Sequence, residues 1–325
     1  MKTNFNLKKY NTFSIDCFCD NFLEIKKEQD FFDFIKTKPK KILFLGNGSN
    51  ILFTKDFSGT VIYSNIKKIK EIKKTKTNIY LKVSSGYNWD DFVKYCIQHN
   101  YYGPENLSNI PGKIGGSVVQ NIGAYGAEIK DIIHSVEYVS LQDNKIYTIP
   151  NKECQFSYRS SIFKTKLKNC FVLNVIFKLS LKEKYILEYR DLHNLENIDL
   201  KKIRKYILKL RKSKLPNYKE IGNAGSFFKN PIISKTLFNK LKKQFMDIPY
   251  FQINDKYKIP TAWLLDKAGF KKKKYKKCGV YVKTPSIIVN LDNAQGKEIY
   301  DFSQAIIKTV KQKFNITLER EVIII

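Results

Sequence analysis

Ile110-Pro111-Gly112-Lys113-Ile114-Gly115-Gly116-Ser117-Val118-Val119-Gln120-Asn121-Ile122-Gly123-Ala124-Tyr125-Gly126 is the stretch on which the reading of this chain turns. Six of its residues are Gly or Pro, yet most of the others are Ile, Val, Ala and Tyr, so buried irregular backbone is expected. Buried N–H and C=O groups need partners. A large polar cofactor would supply them; the competing reading is a glycine-rich crossing between two cores.

The neighbouring sequence favours a strand-rich surround. Lys41–Leu45 reads as a short buried strand, followed by the turn Gly46-Asn47-Gly48-Ser49-Asn50 and a second apolar run, Ile51-Leu52-Phe53. That turn exposes several backbone N–H groups and could cradle a diphosphate, or it could be a plain hairpin. Ile51 occupies the third glycine position of the dinucleotide fingerprint, which disfavours a Rossmann site. Further strands are expected at 61–63, 79–83, 136–139, 170–179 and 286–291. Helices are expected at 89–100, after a cap at Asp199, at 234–245, at 260–268 and at 299–314. Pro216 should end the Asp199-capped helix and mark a domain boundary.

Composition sets outer limits. A length of 325 residues allows two or three cores, and a 43% hydrophobic share indicates a folded globular protein. No apolar run reaches the roughly 18–20 residues of a membrane span, and the N-terminus has no signal-peptide pattern, so a cytoplasmic enzyme is expected. The formal net charge of +29 is spread along the chain together with abundant Ile, Asn, Phe and Tyr, a joint excess expected of an A+T-rich genome. The run Lys271–Lys277 reads as a solvated loop. Six cysteines lack metal-ligand spacing and three histidines stand apart, so no metal site is expected.

Three segments carry chemistry. Gly222-Asn223-Ala224-Gly225-Ser226-Phe227-Phe228-Lys229-Asn230-Pro231 sets one serine in a small-residue loop before two phenylalanines. It lacks a nucleophile elbow, so Ser226 reads as a proton donor or binding group. Tyr158-Arg159-Ser160-Ser161-Ile162-Phe163-Lys164 offers an arginine whose planar fork suits a carboxylate, or which is a surface ion-pair partner. Glu321 beside Val322–Ile325 is either a part-buried carboxylate in need of a partner or a strand-edge glutamate.

These segments, with Asn11-Thr12-Phe13, Lys214-Leu215-Pro216, Ala262-Trp263-Leu264-Leu265-Asp266 and Leu318-Glu319-Arg320-Glu321-Val322, resemble the UDP-N-acetylenolpyruvoylglucosamine reductase family nearly end to end. The Asn-Ile-Gly-Ala-Tyr-Gly form at 121–126 and Tyr250 resemble the subclass with an extra substrate loop. The resemblance implies an α+β, three-domain flavoenzyme with a vanillyl-alcohol-oxidase (PCMH) type FAD-binding fold and a C-terminal α/β substrate-binding domain. Its parts would be residues 1–65, to which 318–325 return, 66–214 and 215–317. It implies NADPH-dependent reduction of UDP-N-acetylglucosamine enolpyruvate through FAD, in peptidoglycan synthesis, by a cytoplasmic monomer that binds small molecules and neither nucleic acid nor membrane.

By the same resemblance, Arg159, Ser226 and Glu321 are catalytic. FAD would be held by Gly46, Asn47, Gly48, Ser49, Asn50, Ile110, Pro111, Gly112, Gly115, Gly116, Gln120, Asn121, Gly123 and Ala124, and substrate by Tyr189, Lys214, Asn230 and Tyr250. The chain departs from the family pattern at Arg320 (usually Pro), at Ile323 (usually Arg), in ending at Ile325 and in the lysine run after Phe270. Rival readings are a flavin oxidase of the same fold, and a basic nucleic-acid or membrane-surface module resting on charge alone.

Overall fold

The computed structural model describes residues 1–37, 39–189, 192–193 and 195–325. It contains both helices and antiparallel sheets, and its described residues gather into two compact units. The first comprises Met1–Phe5, Asp20–Asn47 and Ser58–Ser213; the second comprises Asn6–Cys19, Gly48–Phe57 and Lys214–Ile325.

The first unit is built on a five-stranded antiparallel sheet in the order Ile146–Pro150, Ile133–Ser140, Cys170–Ser180, Asn78–Ser84 and Ile69–Lys74. The central strand, Cys170–Ser180, is buried along nearly its whole length because apolar side chains cover both faces. Phe171 and Leu173 pack with Phe31 and Ile62, whereas Val175, Phe177 and Leu179 pack with Trp89 and Phe92. An irregularity opposite Glu137 and Tyr138 shifts the register, so Val172 joins the second group out of simple alternation. The helix Trp89–Gln98 forms as its apolar spacing requires, with the Asn88 side chain accepting from the Asp91 N–H at 3.1 Å. Phe92 meets Phe177 at 4.5 Å between ring centroids, and the Trp89 indole donates to the Leu107 carbonyl at 2.8 Å. The helix Leu200–Lys214 starts where expected: the Asp199 carboxylate accepts from the Lys202 N–H at 2.7 Å. Its Arg204 forks onto Asp90 at 2.7 and 2.8 Å. Burial is the largest influence on Asp90 and would raise its pKa, but the Arg204 hydrogen bonds, the Asn109 N–H and the charges of Arg204 and Lys94 together hold the carboxyl below its ordinary value.

The glycine-rich stretch corrects the expectation of irregular backbone. Ile114–Gln120 is a helix that ends at Asn121 in the left-handed conformation. Ile114 and Val118, four apart, face the core, and Gly115 lies so close to Ser85 that an added Cβ would sit 2.9 Å from the Ser85 Cβ. Gly115 thus serves close packing rather than breaking the helix.

In the second unit, Gly222–Ser226, Ile287–Asn290, Cys278–Val280 and Lys274–Tyr275 form a four-stranded antiparallel sheet in that order. The first half of the expected Ser226 loop, Gly222–Ser226, is therefore a strand, a second correction, and two residues of the lysine run also join the sheet. The run's lysines are nevertheless all exposed, while Tyr275 stacks on Phe302 at 5.3 Å. Ile232–Ser234, Lys256–Lys258 and Phe251–Ile253 make a three-stranded sheet, and Ile323–Ile324 runs parallel to Ile51–Leu52. Asn11-Thr12-Phe13 is stitched into the main sheet. The Asn223 N–H donates to Thr12 at 2.9 Å, and the Asn290 amide donates to the Phe13 carbonyl at 2.8 Å. Helices Lys235–Gln244, Thr261–Lys267 and Gly296–Phe314 complete this unit. Among the described residues no helix is long and apolar enough to cross a membrane.

Gly296 opens the last helix with its backbone against Phe53; an added Cβ would lie 1.7 Å from the Phe53 carbonyl oxygen. Alanine would gain about 1 kcal/mol of helix propensity, but a backbone overlap of this size costs more. Gly296→Ala should lower unfolding free energy by about 2–3 kcal/mol, seen as a lower urea midpoint. A midpoint at or above that of the unsubstituted protein would refute the packing role.

Candidate active site

In the first unit, Arg159 stands on a tight turn in which Ser157 and Ser160 exchange backbone hydrogen bonds, both at 3.0 Å. Its φ of 57° is left-handed, a costly conformation for a side chain of this size. Three contacts hold the turn. Asn121 Nδ2 donates to the Ser157 carbonyl at 2.9 Å, Lys164 Nζ to the Arg159 carbonyl at 3.0 Å, and Arg159 itself to the Gly123 carbonyl at 2.7 Å. Gly123 must be small, because a Cβ there would sit 2.9 Å from the guanidinium. Tyr189 approaches the same segment: its ring meets Tyr125 edge-on at 5.5 Å, and its Cβ lies 3.7 Å from where a Gly126 Cβ would be. Thus Arg159 and Tyr189 both pack on the Gly123–Gly126 segment.

The remaining expected cofactor residues of this unit divide by surroundings. A Cβ on Gly116 would meet nothing within 4 Å, and one on Gly46 only Lys113 Cβ at 3.9 Å, so both leave open backbone. Gly112 gives its carbonyl to the Trp89 N–H, and the Gly115 N–H goes to Ser85. Asn121 uses its amide on Ser157, Glu128 and Lys130, which makes it a brace for the Arg159 turn. Gln120 is buried, and Gly123 and Ala124 form a two-residue strand paired with Ala127–Glu128. Ile110 and Pro111 are half-buried, and Asn47 follows Gly46 at the edge of this unit.

Sequence reasoning gave Lys113 no role, yet it is an unusual cation. It is buried, its Nζ donates to the Ser64 carbonyl, and it lies 3.5 Å from the centroid of the Tyr63 ring. Desolvation, helped by Lys67 and opposed only by Glu24, brings its pKa down to about 7. Among the described residues it forms no ion pair. A lone lysine in an apolar-looking run gives no warning of this, since burial is decided by the fold. Asn106 was also missed: fully buried, it ties the Tyr125 and Ile186 carbonyls together at 2.9 and 2.8 Å.

The second unit gathers Ser226, Glu321 and Asn50. The strand carrying Ser226 breaks register between Asn223 and Ser226, and Gly225 there has a φ of 70°. Such a bulge re-aims the side chain that follows it. Ser226 is exposed, and its Oγ lies 3.2 Å from that of buried Ser286. The next residue, Phe227, takes the Glu321 N–H on its carbonyl at 2.9 Å, and Asn50 Nδ2 donates to the Glu321 carbonyl at 3.1 Å. Glu321 is half-buried. Arg320, where the family has proline, anchors this segment: its Nε donates to Ser303 Oγ at 2.9 Å and its guanidinium lies over the Tyr300 ring at 4.7 Å. Ile323 pairs instead with Ile51.

Other expected residues of this unit lie around that centre or apart from it. Gly48 is crowded by Tyr10 and Asn11, and its φ of 59° also needs glycine; Ser49 links it to Asn50. Asn230 Oδ1 accepts the Thr261 N–H at 2.9 Å, and the Lys214 carbonyl accepts from Thr284. Tyr250 is exposed beside the three-stranded sheet, 4.7 Å from Phe238; nothing in these contacts joins it to Ser226.

Known proteins resemble this chain throughout. Residues 25–149 match an FAD binding domain, and residues 216–325 match the C-terminal domain of UDP-N-acetylenolpyruvoylglucosamine reductase. The reductase of that name from Bacteroides fragilis is 39% identical over 99% of both chains. That from Buchnera aphidicola subsp. Baizongia pistaciae is 41% identical over 100% of both. The structure of UDP-N-acetylenolpyruvylglucosamine reductase from Thermus caldophilus shares the fold, with a TM-score of 0.71 at 20% identity over 98% of this chain and 97% of that one. By its full-length identity to these relatives, the chain belongs to the UDP-N-acetylenolpyruvoylglucosamine reductase family of FAD-dependent oxidoreductases.

Proposed function

We propose that this protein reduces UDP-N-acetylglucosamine enolpyruvate to UDP-N-acetylmuramate with NADPH, as a cytoplasmic monomer serving peptidoglycan synthesis. The observation that carries the reading is the main-chain link that sets Glu321 beside Ser226, together with the family's full-length match. The first unit's residues suit FAD on two counts. Gly46 and Gly116 leave open backbone that a Cβ would fill, and Lys113 is a buried cation with no ion-pair partner among the described residues. Gly46, Gly116 and Lys113 would hold the cofactor, with Lys113 set against its anionic part. Bound FAD, reduced by NADPH, supplies the hydride that adds to the methylene carbon of the enol ether.

The chain's own groups manage the charge this creates. Arg159 would pair with the substrate carboxylate into which the new negative charge spreads, and a preorganised cation at developing charge is commonly the largest catalytic contribution. Ser226 Oγ would then give its proton to the α-carbon, a transfer that is favourable because a carbanion-like centre is a far stronger base than an alkoxide. Glu321 would orient the same intermediate by hydrogen bonding. Tyr189, Lys214, Asn230 and Tyr250 would contact substrate, and the segments 1–65 and 66–214 would form the FAD-binding parts.

Two outcomes test this. Ser226→Ala should leave NADPH-driven bleaching of the flavin intact and slow its reoxidation by the enolpyruvyl substrate by about 10²–10⁴-fold; normal turnover in a rapid-mixing experiment would remove the proton-donor role. Lys113 should make the stability of the cofactor-free protein depend on pH. Its folded pKa of about 7 lies below its ordinary value of 10.5, so between these the unfolded state binds more protons and stability rises with pH. Relative to Lys113→Met, the unsubstituted protein should therefore gain stability from about pH 7 to about pH 10.5, read from urea midpoints. A flat difference would show that Lys113 is neither desolvated nor available as a buried cation.

A further inference from the structure

We propose that Ser286 is a positioning residue for Ser226, a role that rests on Ser226 being the proton donor. Its buried hydroxyl aims the Ser226 proton outward and stabilises the charge left on Ser226 Oγ when that proton departs. The two hydroxyl oxygens are 3.2 Å apart, and this is the one hydrogen bond of the Ser286 side chain among the described residues. The pair is asymmetric: Ser286 is 5% exposed, while Ser226 is open to solvent. Ser286 thus approaches Ser226 from the protein side and leaves its outer side free for a ligand.

The backbone fixes this pair. The Phe227 N–H donates to the Ser286 carbonyl at 2.8 Å, and Ser226 pairs with Ile287 across the sheet. The bulge at Ala224 and Gly225, closed by the Gly225 N–H to Asn223 Oδ1 at 3.0 Å, sets the Ser226 side chain just beyond it. With Ser286 as the donor of this pair, Ser226 accepts on a lone pair and turns its own proton away from the buried neighbour. In the transfer, the Ser226 O–H bond breaks as the C–H bond forms at the α-carbon, using the electron pair of the enediolate. The O–H electron pair remains on Ser226 Oγ as an alkoxide. Ser286 keeps its proton and donates to that oxygen, a charge-assisted hydrogen bond stronger than the neutral one before it. Solvent on the exposed side then returns a proton to Ser226.

The test compares Ser286→Thr with Ser286→Val in the FAD-loaded enzyme, because these two side chains have nearly the same shape and differ in the hydroxyl. NADPH-driven bleaching should be equal in both. Reoxidation by the enolpyruvyl substrate should be near normal in Ser286→Thr and about 10–100-fold slower in Ser286→Val. The slower variant should also show a larger solvent deuterium isotope effect, because proton transfer then limits the step. Ser226→Ala combined with Ser286→Val should be no slower than Ser226→Ala alone. Equal reoxidation rates in the threonine and valine variants, with Ser226→Ala crippled, would overturn the role of Ser286 alone. Normal turnover by Ser226→Ala would instead overturn the reading beneath it.

Discussion

The main chain of Phe227 is the constraint on which the second unit's site depends. Its N–H is bonded to Ser286 and its carbonyl to the Glu321 N–H, so one residue links three segments far apart in sequence. Each hydrogen bond is worth only about 1 kcal/mol net, but leaving either group unmade in a fully buried residue would cost more. The Phe227 side chain is itself buried, against Phe13 at 6.1 Å and Phe228 at 5.2 Å. Core packing therefore fixes the backbone, and the backbone in turn fixes the polar groups on either side of it. The polar residues need no direct contact with one another to be held in register.

Arg159 is held by the opposite arrangement, a strained turn braced from outside. A left-handed arginine costs on the order of 1–3 kcal/mol, and Asn121, Lys164 and the Gly123 carbonyl supply the compensating hydrogen bonds. The strain is informative because a plain surface arginine would relax out of it. Buried Lys113 raises a similar question, since its ammonium is desolvated with a carbonyl and an aromatic face as neighbours. Both features put positive charge where an anionic ligand would offset its cost.

Much of the fold was legible because its signals are local. Apolar spacing marks helices at 89–100 and 299–314, which the structure places at Trp89–Gln98 and Gly296–Phe314, and the cap at Asp199 depends on a residue one turn away. The two misreadings share one cause. In sequence, Gly115 and Gly225 read as irregular backbone, but a glycine serves equally where a helix packs closely or at a bulge within a strand. Which use applies depends on what approaches the glycine from elsewhere in the chain.

The family, and Arg159, Ser226 and Glu321 as candidates, follow from the amino-acid order alone, because ordered motifs persist whatever their three-dimensional surroundings. Their neighbours, by contrast, are set by the folded chain. Ser286 lies 60 positions from Ser226, Asn50 lies 271 from Glu321, and Lys113 lies 49 from the carbonyl it meets. Burial, desolvation and hydrogen-bond geometry arise from such long-range contacts, and no local pattern of residues encodes them.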